Sequence, residues 1–343
     1  MIPYSFGNLH LWLPGYIQNR LERRRAGPAQ TVWMTIADHY EPYWGKADRA
    51  TAIERVNRWR KAWPRVASRH RDSAGKSPCY TFFYAQEEYD ADAVAYITEL
   101  AEAGIADVEV HLHHDGEGEA DFVTRLRSFV ELLHLRHGLL RRRDDKLVFG
   151  FIHGNWALDN SRPDGRWCGL NHEITLLKQL GCYADFTLPS APSGTQTAIV
   201  NTIYWAKDDP EKPKSHHRGK PLKPGGAVEG DLLLIPGPLG WNYRGSRRLI
   251  PRLETGELAA YDPPVQGRAR SWLDLAPQVG NHIFLKLHTH GTQEANASML
   301  LEGGLDRCFE DLSAECERRG YALRFVSAWE MWQVLDAVRE RRC

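Results

Sequence analysis

The sequence predicts an α/β protein: a (β/α)7–8 barrel of parallel strands in a single domain, with an N-terminal arm and one long loop insertion. Two observations carry that prediction. From residue 31 onward, eight short β-branched or aromatic runs alternate with segments of helical periodicity, the pattern that builds a parallel sheet through right-handed crossovers. Histidines and acids then gather at the C-terminal ends of those runs, the end where barrels collect their functional groups. A chain of 343 residues allows two domains on length alone, but a barrel of this size is ordinarily one. The boundaries are an arm over 1–30 and a barrel over 31–343, with the insertion at 193–229.

Each element has its local reason. The first strand run is 31–36. Ile53, Val56, Trp59, Trp63 and Val66 then recur at helical spacing behind an Asp48 cap, and Pro64 is expected to end or kink that helix. Residues 80–85 form the second strand. Val94, Ile97 and Leu100 mark one helix face, which Gly104 stops. The strand 108–112 is followed by a helix built on Phe122, Leu126, Phe129, Val130 and Leu133. Strands 147–152 and 183–188 flank a helix from Ile174 to Leu180 that Gly181 ends. The remaining strands are 232–235, 282–287 and 323–326, with Cys308, Phe309, Leu312 and Cys316 on the helix before the last. Ser327 and Glu330 form a capping box for a terminal helix whose core side is Trp332, Leu335 and Val338. The stretch 206–224 inside the insertion is rich in charge and proline and contains His216–His217, which reads as an exposed loop or a lid.

Composition narrows the function classes. Hydrophobic residues are 42% and charged residues 26%, ordinary globular values that supply one large core. The 44 basic and 44 acidic residues cancel, so nothing in the global charge points to a nucleic acid partner. Six cysteines are scattered without a Cys-x-x-Cys pair, which reads as reduced, buried thiols. The N-terminus lacks the order of a signal peptide and no apolar run is long enough for an integral membrane segment, so a cytoplasmic protein is expected. Residues 9–25 set Leu, Trp and Ile before Arg20, Arg23, Arg24 and Arg25. That arm is expected to pack on the domain, with weak contact to an anionic membrane surface as the alternative.

The strand ends carry the chemistry. They read Asp38-His39 after the first strand, His111-Leu112-His113-His114-Asp115-Gly116-Glu117 after the third, His153-Gly154-Asn155-Trp156 after the fourth, and His288-Thr289-His290 after the seventh. Seven of the 15 histidines sit there, although packing alone gives histidine no preference for one end of a sheet. Imidazoles beside carboxylates suit zinc or another divalent metal, and three protein ligands leave a position for water. The sequence has no Gly-x-Ser-x-Gly elbow, no Gly-x-Gly-x-x-Gly and no phosphate-binding Gly-Lys-Ser/Thr loop. His10, His70, His134 and His137 lie away from strand ends and read as structural.

At these strand ends the chain resembles the polysaccharide deacetylase superfamily, whose members share a (β/α)7-type barrel. Thr35-Ile36-Ala37-Asp38-His39 is similar to that family's Thr-Phe-Asp-Asp-Gly motif, and the run from Glu109 to Glu117 to its His-x-x-x-His motif. His153-Gly154-Asn155-Trp156 takes the place of the third motif, Leu285-Lys286-Leu287-His288 that of the Leu-x-His motif, and 325–331 is similar to the family's ending. The resemblance implies a metal-dependent hydrolase, deacetylating an N-acetylated sugar or polysaccharide intermediate. It implies Asp38, His113 and Glu117 as ligands, with His111 next and His114 a rival. His288 becomes the acid and His290 its assistant, while Asn155 and Trp156 contact the carbohydrate. Where the family has its base this chain has Ala37, which passes that role to His39 or His153. The alternatives are a carbohydrate-binding barrel without catalysis, a barrel with no metal, and an amidohydrolase-like metal hydrolase. Amidohydrolases place His-x-His on the first strand, whereas here it lies on the third.

Overall fold

The computed structural model describes residues 8–242, 252–265 and 267–342. Eight parallel strands form the frame: β1 (Thr31–Tyr40), β2 (Tyr80–Ala85), β3 (Ala106–Leu112), β4 (Lys146–His153), β5 (Cys182–Asp185), β6 (Leu232–Leu234), β7 (His282–Thr289) and β8 (Ala322–Phe325). Their hydrogen-bonded order is β7-β1-β2-β3-β4-β5-β6, a TIM-like barrel sheet with helices outside it. β1 is the central strand. One edge pairs with β7 over Thr31–Asp38; the other pairs first with β8 over Thr31–Met34 and then with β2 over Ile36–Tyr40. Between β6 and β7 a short segment closes the wall, with Leu258 N–H donating to His288 O and His288 N–H to Gly256 O.

Pleating sorts the side chains into two layers. Val32, Met34, Ile36 and Tyr40 of β1 join the large outer core beneath the helices, with Trp59 and Trp63 of the helix Arg49–Arg69. That helix runs through Pro64 to Arg69, because Trp63, Val66 and Ala67 stay buried on either side of the proline. Ala37, Phe83, Ile152, Phe186 and Phe284 form the inner core instead. Onto it the helix Ala328–Arg339 lays Met331, Trp332 and Leu335, behind the capping box of Ser327 and Glu330.

The arm and the insertion both pack on the barrel. Helix Leu9–Arg25 buries Trp12 beside Trp241, their ring centroids 5.7 Å apart. Its Arg20 and Arg23 donate to Asp274 O, Leu273 O and Ala276 O, free carbonyls at the C-terminus of helix Arg268–Leu275. Among the described residues no helix is long and apolar enough to cross a membrane. Within the insertion, Tyr204–Ala206 pairs antiparallel with β6 and with Gly219–Pro221. The segment therefore extends the sheet rather than lying free as a loop, and buries Ile203, Tyr204 and His216.

Candidate metal centre at the barrel mouth

Alternation along β1 and β3 decides which strand-end residues meet. With Ala37 in the inner layer, His39 and Glu41 point inward as well, while Asp38 and Tyr40 point out. On β3 the inward positions are Glu109, His111 and His113. His39, Glu41 and His111 come together as a buried group whose donor atoms all lie within 4.8 Å of one another, a set able to hold a metal ion. His111 Nε2 stands 3.1 Å from Glu41 Oε1 and His113 Nε2 3.5 Å from the same oxygen. The rings of His288 and His290 close the other side, 6.1 and 4.7 Å from His39 between centroids.

Outer partners orient these rings. His111 Nδ1 donates to Ile152 O at 2.9 Å, and His113 Nδ1 binds the carboxylate of Glu87. Such partners fix the tautomer that leaves Nε2 free for a cation. Burial holds His39 and His288 well below the usual imidazole range, helped by neighbouring positive or imidazole groups. Burial also lowers His290, against the pull of Glu41 and Glu257. For Glu41, burial works upward, but the His111 hydrogen bond and the surrounding histidines outweigh it and bring the carboxyl down to about 2. Glu41 is thus an ionised carboxylate facing the lowered imidazoles of His39, His288 and His290, while His113, against burial, is raised by the carboxylates of Glu87 and Glu41. His39 Nε2 and His288 Nδ1 are buried with no hydrogen-bond partner among the described residues.

A 440 Å³ cavity opens over the cluster, lined by His39, Glu41, His113, Asn155, Trp156, Glu257 and His290 among others. Trp156, Glu257 and Tyr261 also line a 1070 Å³ cleft that reaches His288 and the 189–194 turn. Trp156 and Asn155 both hold positive φ, 54° and 53°, so the chain after β4 folds sharply over the mouth. Trp156 Nε1 is buried without a partner among the described residues.

Of the residues singled out from sequence, His39, His111, His113, His288, His290, Asn155 and Trp156 converge here. Asp38 does not. Its Oδ2 accepts from Tyr80 Oη at 3.0 Å and its Oδ1 from Gly291 N at 2.7 Å, on the outer face of β1. Burial raises its carboxyl to about 8, against those two hydrogen bonds. Glu117 is paired with Arg125 and belongs to neither group of metal-ligand type. His153 lies on the outer face of β4 and meets His114, Cys168 and Glu173, a second buried group with donor atoms within 4.8 Å. Glu41, Glu87 and Glu257 are additions from the structure. The signal for Glu41 was in the sequence, because His39-x-Glu41 continues one strand face; Glu87 sits in the 3-10 helix Gln86–Glu88 and Glu257 on an isolated bridge to His288, both too short for a periodicity to read.

No family model matches the chain, and neither does any curated protein. Among solved structures the chain is similar to one described as the crystal structure of PuuE allantoinase. The TM-score is 0.46 at 11% identity, over 90% of this chain and 91% of that one.

Proposed function

We propose that the chain is a metal-dependent hydrolase of amide bonds, with His39, Glu41 and His111 holding one divalent cation and an N-acetylated sugar as substrate. The His111–Glu41 contact carries the metal. With Nδ1 donating to Ile152 O, His111 turns Nε2 toward a carboxylate oxygen 3.1 Å away, a gap that a proton or a cation fills. The unpartnered Nε2 of buried His39 supports the cation. Three ligands rich in imidazole favour zinc, and His113 is placed to join as a fourth.

A cation bound there supplies Lewis acidity and makes water acidic enough to attack near neutral pH. The chain's own groups do the rest. Ala37 lines the inner face where the resembling family has a carboxylate, so the base is another residue. His290, neutral and in the cavity, takes the proton of the attacking water, and Glu257 beside it stabilises the imidazolium. His290 then returns that proton to the departing nitrogen, and His288, held neutral by burial at the junction with the larger cleft, stabilises the transition state. Asn155, Trp156 and Tyr261 form the walls on which a sugar ring stacks.

The test is zinc content and acetate release from N-acetylated oligosaccharides, by wild type and by His111→Ala. Turnover with metal at the mouth, and in the variant the loss of turnover together with one equivalent of metal, is the expected result; wild type free of metal after growth in zinc sinks the reading. Ala37 also supports a second reading, a carbohydrate-binding barrel without catalysis. Bound metal and sugar binding with no acetate release would select it.

A further inference from the structure

Behind the mouth, on the outer face of the same strand ends, lies the second group. We propose that His114, His153, Cys168 and Glu173 form a separate, closed zinc site that fastens the 154–173 segment to the ends of β3 and β4. It shares no residue with the mouth cluster and does not depend on the hydrolase reading.

The four donors converge from three stretches of chain. His153 Nε2 is 2.9 Å from His114 Nε2 and 3.4 Å from Glu173 Oε1; His114 Nε2 is 3.0 Å from that same oxygen. Cys168 Sγ lies 3.4 Å from Glu173 Oε2. All four residues are buried, with Cys168, His153 and Glu173 at 0% exposure.

With both rings uncharged, a hydrogen-bonded network leaves this arrangement one proton short. His153 Nδ1 donates to Gly154 O at 2.6 Å, so the neutral ring offers only a lone pair at Nε2. His114 has one Nε2 proton to share between that lone pair and Glu173 Oε1. Whichever it serves, two lone pairs are left facing each other. A divalent cation resolves the conflict.

Charge balance agrees, since a thiolate and a carboxylate cancel the ion and leave the buried site neutral. Sulfur with two imidazoles and a carboxylate suits zinc, and four protein ligands leave no place for water, as in structural sites. The sulfur is dressed accordingly. Asn160 N–H and Leu170 N–H both point at Cys168 Sγ, at 3.2 and 3.5 Å. Asp159 N–H donates to Glu173 Oε2 at 2.6 Å. These outer bonds orient ligands before the metal arrives.

The experiment uses the full chain expressed with added zinc and dialysed without chelator. His39→Ala combined with His111→Ala empties the mouth, so the zinc left belongs to the second site. About one zinc per chain is expected, with a sulfur neighbour at about 2.3 Å in zinc X-ray absorption. Adding Cys168→Ala removes the sulfur signal and lowers retained zinc at least tenfold. Zinc below a tenth of an equivalent in the mouth variant, or zinc with no sulfur neighbour, overturns the proposal. Should that variant fail to fold, the wild-type spectrum decides. About half a sulfur per bound zinc with both sites filled, or one with the second site filled alone, supports the site, and its absence overturns it. A wild type with sulfur-bound zinc but no acetate release defeats the hydrolase reading alone.

Discussion

Glu41 and Asp38 lie three positions apart at the end of β1, carry the same functional group, and have opposite surroundings. Glu41 faces inward to three histidines and is held ionised near 2, whereas Asp38 faces outward and is raised to about 8 by burial. Substitution therefore separates their roles. Glu41→Gln is expected to weaken metal binding by more than about 100-fold, because outer partners alone are worth about 10–100-fold. Asp38→Asn should leave metal content unchanged and cost about 1–3 kcal/mol of stability through the bonds to Tyr80 and Gly291. Metal analysis beside denaturant melts reads both, and loss of metal in Asp38→Asn would return that residue to the ligand set. Glu87→Gln, whose carboxylate holds His113 by the far ring nitrogen and by the backbone N–H, is expected to lower metal affinity by about 10–100-fold, measured by competition with a chelator. The strand-end histidines were legible because they crowd one end of each run. Which carboxylate joins them was not, since a shift of one residue exchanges the two faces of a strand.

At the scale of elements, the strands and most helices could be read because their periodicities are strong and their caps ordinary. The hairpin of Gly240–Asn242 with Arg252–Glu254 and the helix Arg268–Leu275 could not, since their hold is a buried ion pair between distant residues. Arg268 donates to both oxygens of Glu254, at 2.7 and 3.0 Å, and Trp272 Nε1 adds a third bond at 3.0 Å. Removing one partner strands the other charge, so Glu254→Gln should destabilise the protein by about 3–5 kcal/mol in a denaturant melt. The insertion offers a pH test. Burial, and then Lys214, lower His216 to about 3, below its ordinary 6.5. A depressed folded value means that the contribution is present above 6.5 and is lost as pH falls through the interval down to about 3. Relative to the intrinsic rate at each pH, hydrogen exchange over 204–221 should quicken as pH falls across that interval, and His216→Gln should flatten the dependence. Equal steepness in the two chains would remove His216 as the cause.

The two clusters stand back to back across one sheet. His111 and His113 look into the mouth, while His114, the next residue, looks outward to His153, Cys168 and Glu173. The ring of His113 also packs where a Cβ on Gly154 would overlap it, so the turn after β4 bears on both sides at once. Asn155 and Trp156, on that same turn, wall the cavity. A metal ion fixing His153 and Cys168 thereby holds the backbone that positions His113 and Trp156, and the two sites become coupled through one rigid segment. Coupling between sites is typically about 1–3 kcal/mol, or about 5–150-fold in affinity, and it is reciprocal. Cys168→Ser is therefore expected to weaken zinc binding at the mouth by at least about fivefold, though Cys168 is absent from the cavity wall. Asp72→Ala is the control, since it lowers stability through the lost bonds to the backbone N–H groups of Phe325 and Lys76, on neither cavity wall and without touching β3 or β4. Calorimetric titration of both variants makes the comparison at a temperature where each stays folded. Mouth affinity lowered in Cys168→Ser and kept in Asp72→Ala is the signature of coupling. Equal affinities in all three chains would mean that the strand ends are rigid without the outer metal.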